Sequence, residues 1–447
     1  MASSYLIKNV NLVNEGTVQK TDVLVENGVV AKVGSGLYSE NTKVIEGEGK
    51  FLLPGVIDGQ VHFRDPGLTH KADVSSESKA AIAGGITSFI DMPNTRPNVL
   101  SKEVLDAKYE NAKGRSWANY CFLLGVNGSN IDDVIAMDTS GELAVTDDGL
   151  YFSDKGNILA DQPEMLEKFF ANSKSILAIH SELESMIDEN EKEYRAKYGE
   201  DVPVKFHPII RSEEACYLAT KRAIELCEKH NGRLHILHLT TAKEAGLFRN
   251  DIPLEEKRFT TEICVHHLWF NDGDYERLGT KIKWNPAIKT KADNDGLLEA
   301  LLDDRIDFIT TDHAPHAWEE KNNTYFKAMS GAPLVQHALP AMLEFHLEGK
   351  ISLEKLVEKM CHNPARFYKI KNRGYVKEGY AADLTLVDLD KPWTVTKDNI
   401  LYKCGWSPME GQTFRSSITH TFVNGELVYD NGKFSENAAG QPLEKAI

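Results

Sequence analysis

A (β/α)₈ barrel with a small β-sandwich built from both ends of the chain is the fold that the sequence predicts. Two observations carry it. Eight apolar, β-branched runs alternate with amphipathic stretches through the middle of the 447 residues, the pattern of parallel strands buried on both faces. Short alternating segments rich in Gly and Asn stand instead at both ends, the pattern of hairpins. A doubly wound sheet is the competing architecture for the middle.

The first β-rich region covers 1–54, with YLIKNVNLV, TDVLVENGVVAKVG and TKVIEGEG as its strands. The second covers 369–447, with ADLTLVDLD at 382–390 and ITHTFVNGELVYDNGKF at 418–434. Asn424-Gly425 within it is a two-residue hairpin signal. Between them, 55–368 is expected to be the barrel. Its strands are expected at 55–63 (GVIDGQVHF), 86–92 (ITSFIDM), 118–124 (ANYCFLL), 142–146 (ELAVT), 176–180 (ILAIH), 234–239 (LHILHL), 259–264 (FTTEIC) and 306–311 (IDFITT). The stretch 211–230 reads as a helix with Ser212 at its N-cap, and Gly84-Gly85 as a tight turn. The charged run 184–201 is a solvated helix and loop with no functional reading.

Composition excludes several classes. A formal charge of −16 argues against a general binder of nucleic acid or acidic membranes. The six scattered cysteines form no Cys-x-x-Cys pair, so a zinc ribbon or redox motif is not expected, and reduced thiols are. The opening MASSYLIKNVNLVN alternates like a strand and lacks a signal-peptide core, and no apolar run reaches membrane-spanning length. A cytoplasmic enzyme is expected.

In a (β/α)₈ barrel the chemistry sits where the strands end. Strand one ends on His62 and Arg64, strand two on Met92-Pro93-Asn94-Thr95, strand four on Thr146-Asp147-Asp148-Gly149. Strand five ends on His180, strand six on His238, and strand eight on Thr311-Asp312-His313-Ala314-Pro315-His316. A single strand-end histidine is usually only a hydrogen-bonded side chain. Imidazoles from three strand ends and a carboxylate from a fourth form a donor set suited to zinc or a similar divalent ion, and only a closed barrel brings them together. His266 and His267, after strand seven, support the site or pack.

These residues sit in the stretches VHFRDPGLTHK, AAIAGGITSFIDMPNTRPN, LHILHLTTAKE, VHHLWFN, KWNPAIKT, DFITTDHAPHAWEEK and NPARFY, with ADLTLVDLD near the end. Across nearly the whole chain they resemble the dihydroorotases of the amidohydrolase superfamily. The resemblance implies a metal-bearing barrel, one or two zinc ions, and reversible hydrolysis of dihydroorotate to N-carbamoyl-aspartate in pyrimidine synthesis. It carries His62, His180 and His238 onto metal positions. Asp312 falls on a position that both touches metal and moves the proton from the attacking water to the departing ring nitrogen. Arg64 suits the substrate carboxylate, which a guanidinium pairs with bidentately. A surface salt bridge with Asp65 is the alternative account of that arginine. Asn94, Asn285, His316, Ser330 and Gly331, along with His62, match substrate-holding positions.

The sequence departs from the family pattern in two places. Gln60 stands where the commoner motif has the first histidine of His-x-His, and a neutral amide oxygen is a weak ligand. Strand four has no lysine of the kind some relatives carbamylate as a bridge. Asp147 is the favoured bridging carboxylate, with Asp148 and Asp154 as alternatives; TDDG as a mere turn is the bland reading. Two competing functions stand beside the dihydroorotase: another cyclic amidase acting on hydantoins, dihydropyrimidines or allantoin, and a catalytically impaired scaffold. The resemblance also implies a homo-oligomer, a dimer in the simplest case, and association with aspartate transcarbamoylase.

Overall fold

The computed structural model describes residues 4–137, 139–150 and 158–446. Five strands come first: β1 (Tyr5–Asn14), β2 (Thr17–Glu26), β3 (Val29–Gly34), β4 (Lys43–Glu46) and β5 (Phe51–Pro54). The barrel strands follow as β6 (Val56–Val61), β7 (Ile86–Asp91), β8 (Asn119–Phe122) with β9 (Leu124–Gly125), β10 (Val145–Thr146), β11 (Ile176–Ile179), β12 (Arg233–Ile236), β13 (Phe259–Cys264) and β14 (Phe308–Thr310). The chain then returns through β15 (Leu384–Asp388), the small pair β16 (Trp393–Thr394) and β17 (Thr413–Phe414), and β18 (Ser417–Val423), β19 (Glu426–Asp430) and β20 (Lys433–Phe434).

Both ends of the chain build one sheet, in the order β20-β19-β18-β15-β5-β1-β2-β3, with β4 added along β1. The join is β5 against β15, where Leu52 faces Leu386 and Leu53 faces Thr385. This sheet has its own apolar core, including Ile7, Val23, Val25, Leu52, Leu384, Leu386 and Phe422. The β18–β19 hairpin turns on Asn424 (φ 51°) and Gly425 (φ 78°), the paired positive φ that an Asn-Gly turn supplies. A side chain at Gly425 would meet the Gly28 backbone at 2.5 Å.

The middle of the chain closes into the expected barrel. β6, β7 and β8 pair in parallel, and so do β9 through β14 in sequence order. Only Leu123 separates β8 from β9. Closure comes from a parallel bridge between Val61 and His313, where His62 N–H donates to His313 O at 2.8 Å. A doubly wound sheet would have no such contact between its first and last strands. Every residue of β6, β7 and β8 is buried, although Asp58, Gln60, Thr87, Ser88, Asp91 and Asn119 interrupt their apolar runs with polar side chains. Strand four is shorter than expected: only Val145 and Thr146 pair with their neighbours. Ser212 caps its helix as expected, its hydroxyl accepting from Ala215 N–H at 3.2 Å.

A buried ion pair ties the mouth of the barrel together. Asp91, the last residue of β7, accepts from Phe63 N–H at 2.7 Å and meets Lys108 Nζ at 2.6 Å, both side chains being 1% exposed. Lys108 also donates to Met92 O at 3.0 Å. The pair therefore holds the ends of the first two barrel strands in register. Lys108→Met leaves Asp91 buried and unpaired, so it should destabilise the protein by about 3–5 kcal/mol. Urea denaturation checks this; a loss of less than about 1 kcal/mol would contradict it.

Candidate active site

The pairing of β6 with β7 shifts register between Asp58 and Val61, and beyond Asp58 both Gln60 and His62 reach the Asp148 carboxylate. His62 lies at the mouth. Its Nδ1 meets Asn94 Oδ1 at 2.8 Å, and Nε2 turns to two carboxylates, so both ring nitrogens are placed as donors. That Nε2 stands 3.0 Å from Asp312 Oδ1 and 3.2 Å from Asp148 Oδ2. Burial alone would lower the pKa of His62, but the two carboxylates more than reverse this and raise it.

Two more imidazoles face the same point. His180 Nδ1 and His238 Nε2 are 3.1 Å apart, and Asp148 Oδ1 lies 3.8 Å from the first and 3.7 Å from the second. Burial would raise the pKa of Asp148, yet hydrogen bonds from His238 and His62 hold it well below the usual carboxylate range. His180 is aimed from behind: its Nε2 meets Glu182 Oε2 at 2.7 Å, and Arg211 Nε grips that carboxylate at 3.0 and 3.1 Å. Burial lowers the pKa of His180.

The donor set fits a divalent ion. One ligand atom each from Asp148, His180 and His238 lies within 4.8 Å of the others, and all three residues are buried. The carboxylate–histidine pair Glu182–His180 is the usual support behind a metal-ligating ring. Arg64 (φ 65°), His238 (φ 39°) and Asp312 (φ 44°) all adopt left-handed backbone, at about 1–3 kcal/mol each. Strain of that kind clusters where geometry is imposed by function.

Above these groups is a narrow cleft lined by His62, Arg64, Asp148, Trp284, Asn285, Asp312, Ala314, Ser330 and Gly331. Arg64 is 4% exposed, and no carboxylate lies within ion-pair distance of it among the described residues. Asp65 is instead engaged by Arg115 at 2.8 Å and Asn111 at 2.9 Å, so the Arg64–Asp65 bridge does not form. Arg64 Nε donates to Pro315 O at 3.2 Å, and Nη2 lies 3.3 Å from His316 Nε2. His316 accepts from Lys71 Nζ at 3.0 Å on Nδ1 and meets Ser330 O at 2.9 Å through Nε2. Burial, with Arg64 and Lys71 nearby, pushes its pKa well below the ordinary value and keeps the ring neutral.

The structure thus brings His62, Arg64, Asn94, His180, His238, Asn285, Asp312, His316, Ser330 and Gly331 to one mouth. Asp147, favoured as the bridging carboxylate, does not join them. Its oxygens accept from Leu159 N–H at 2.8 Å and His180 N–H at 2.9 Å, tying the end of β10 to the end of β11. Burial pushes its pKa up to about 8. Asp148 takes the inward position. Asp154 lies outside the described residues. TDDG is still a turn: Gly149 has φ 72°, and a side chain there would strike Asn94 Nδ2 at 2.2 Å. Gln60, offered as a weak ligand, is fully buried and donates from Nε2 to Asp148 Oδ2 at 3.0 Å. His266 and His267 pack, His266 stacking on Trp284 with ring centroids 4.1 Å apart. Sequence reasoning missed Glu182 and Arg211; the available signal was an acidic residue two places after a strand-end histidine.

The comparisons with known proteins agree with this geometry. The model of the amidohydrolase family matches residues 51–428. The chain belongs to the amidohydrolase family. Among the relatives of this amidohydrolase, the dihydroorotase of Carboxydothermus hydrogenoformans is 33% identical over 430 residues, 95% of this chain and 97% of that one. The dihydroorotase of Bacillus pumilus is 32% identical over 96% of this chain and 99% of its own. The solved L-hydantoinase (dihydropyrimidinase) of Arthrobacter aurescens superposes with a TM-score of 0.90 at 27% identity, covering all of both chains. The amidohydrolase is accordingly a cyclic amide hydrolase.

Glu182→Gln keeps the shape behind His180 but removes the charge that fixes the ring. We expect zinc affinity to fall about 10–100-fold, measured by chelator competition. Unchanged affinity would show that His180 needs no support from Glu182.

Proposed function

We propose that this amidohydrolase is a dihydroorotase, catalysing the reversible hydrolysis of (S)-dihydroorotate to N-carbamoyl-L-aspartate. The observation that carries the reading is Arg64: a buried guanidinium at the cleft, with no carboxylate partner of its own among the described residues. A buried charge is costly unless paired, and the ring carboxylate of dihydroorotate supplies the partner. Hydantoins and dihydropyrimidines lack that group.

Zinc is the proposed ion, held by His180, His238 and Asp148 with His62 and Asp312 beside them; when bound it acts as a Lewis acid toward water and carbonyl oxygen. The chain's own groups do the rest. Arg64 orients the substrate through its carboxylate, and Asn94 and Asn285 supply amide groups at the same rim. Asp312 accepts the proton of the attacking water and delivers it to the ring nitrogen as the amide bond breaks. In the reverse direction it removes that proton as the ring closes. Trp284 and Ala314 wall the cleft and limit water.

A second reading, a hydantoinase or dihydropyrimidinase, is favoured by the L-hydantoinase superposition. Among the described residues no helix is long and apolar enough to cross a membrane, and a cytoplasmic location is proposed. A homodimer and association with aspartate transcarbamoylase rest on the resemblance alone.

Asp312→Ala should lower kcat on dihydroorotate by about 10²–10⁴-fold, and chelation should abolish turnover until zinc is restored. Full activity in that variant would remove Asp312 from the mechanism. Arg64→Gln should raise KM for dihydroorotate by about tenfold or more while leaving any turnover of hydantoin unchanged. If hydantoin is the faster substrate of the unaltered protein and Arg64→Gln does not matter, the second reading replaces the first.

A further inference from the structure

Gln60 occupies the place where the family motif has a metal-ligating imidazole, and its side chain is fully buried. Its orientation follows from donor–acceptor logic. An ionised carboxylate only accepts hydrogen bonds, so the amide nitrogen of Gln60, not its oxygen, faces Asp148 Oδ2 at 3.0 Å. The amide oxygen is left to the Cys264 thiol, with Sγ at 3.8 Å. The Gln60 backbone is fixed as well, its N–H donating to Asp58 Oδ1 at 3.3 Å. An amide nitrogen in this position has no lone pair to offer a metal.

The bond also divides the work of the Asp148 carboxylate. Oδ2 is occupied by Gln60 Nε2 and by His62 Nε2, at 3.0 and 3.2 Å. Oδ1 is the oxygen turned to His180 and His238, at 3.8 and 3.7 Å. We infer that Gln60 is a positioning residue that contributes no ligand atom: its amide N–H locks Asp148 Oδ2 so that Oδ1 alone is aimed, with His180 and His238, at a single metal ion. This rests on the reading of the Asp148–His180–His238 cluster as a metal centre. The first barrel strand then supplies one ring, His62, where the two-histidine motif supplies two.

Zinc content by mass spectrometry of the full-length protein, after zinc loading and desalting, tests the count. One ion per chain is expected; two per chain would overturn the single-ion assignment. A chain that takes up none would overturn the metal-centre reading itself, which is a separate failure. The role of Gln60 is tested by zinc affinity in Gln60→Leu and Gln60→Glu, read by chelator competition. Removing the N–H donor should weaken zinc about 10–100-fold in Gln60→Leu, with the cobalt(II) absorption spectrum unchanged because no ligand is lost. Gln60→Glu keeps the volume and an oxygen but places a second carboxylate against Asp148, so it should weaken zinc as well. Tighter binding in Gln60→Glu, or an altered cobalt spectrum in Gln60→Leu, would show Gln60 to be a ligand and overturn the inference. Unchanged affinity in both variants would overturn it too. Thermal melts of the metal-free proteins establish that each variant folds, and Gln60→Glu alone decides the matter if Gln60→Leu does not.

Discussion

The contact between the first and last barrel strands is the constraint on which the site depends. One parallel bridge, Val61 to His313, with the His62 N–H bond to His313 O, turns a row of strands into a ring. Without it, His62 and Asp312 would sit on opposite edges of a sheet, about seven strand spacings of roughly 4.8 Å apart. With it, their side chains are 3.0 Å apart. The same closure sets Arg64 beside Pro315 and His316, so the buried guanidinium and the Asp312 carboxylate share one seam. The Asp91–Lys108 pair then steadies the neighbouring strand ends.

Around that seam the protein keeps an unusual amount of polarity out of water. Asp148, His180, His238, Glu182 and Arg211 are all buried; Glu182 engages both His180 and Arg211, and His238 turns Nε2 to the shared centre while its Nδ1 has no hydrogen-bond partner among the described residues. Buried networks of this kind are costly when incomplete, which accounts for the layered arrangement: Arg211 holds Glu182, Glu182 holds His180, and Gln60 holds Asp148. Left-handed backbone at Arg64, His238 and Asp312 belongs to the same economy. Packing elsewhere overrides local preference where side chains must converge.

Much of this was legible in the sequence, for physical reasons. Strands buried on both faces read as apolar runs, and the strand ends then named His62, His180, His238 and Asp312 without any knowledge of distance. What failed was finer than a strand. Asp147 and Asp148 are adjacent acids, and in extended chain neighbouring side chains point to opposite sides; TDDG gives no register with which to choose between them. β10 is only two residues long, too short for alternation to speak. Glu182 lies past the end of its strand, and its partner Arg211 comes 29 residues later, with no periodicity joining them. The orientation of Gln60 was likewise invisible, because an amide can face a neighbour with either end and only the neighbour's charge decides.

The pairing of β5 with β15 has a consequence in time rather than in space. Phe51–Pro54 leave the ribosome some 330 residues before their partner Leu384–Asp388, which at about 5–20 residues per second is a wait of roughly 15–65 s. Throughout it the nascent chain carries β1 to β5 with the outer edge of β5, an apolar Phe-Leu-Leu, unpaired. Exposed apolar edges of that kind recruit other strands. The barrel can form during the interval, since its strands are consecutive, but the sheet at its side can only be finished last. For this chain, the vulnerable stage of biogenesis is the period when the catalytic half is complete and its companion is still waiting for its other half.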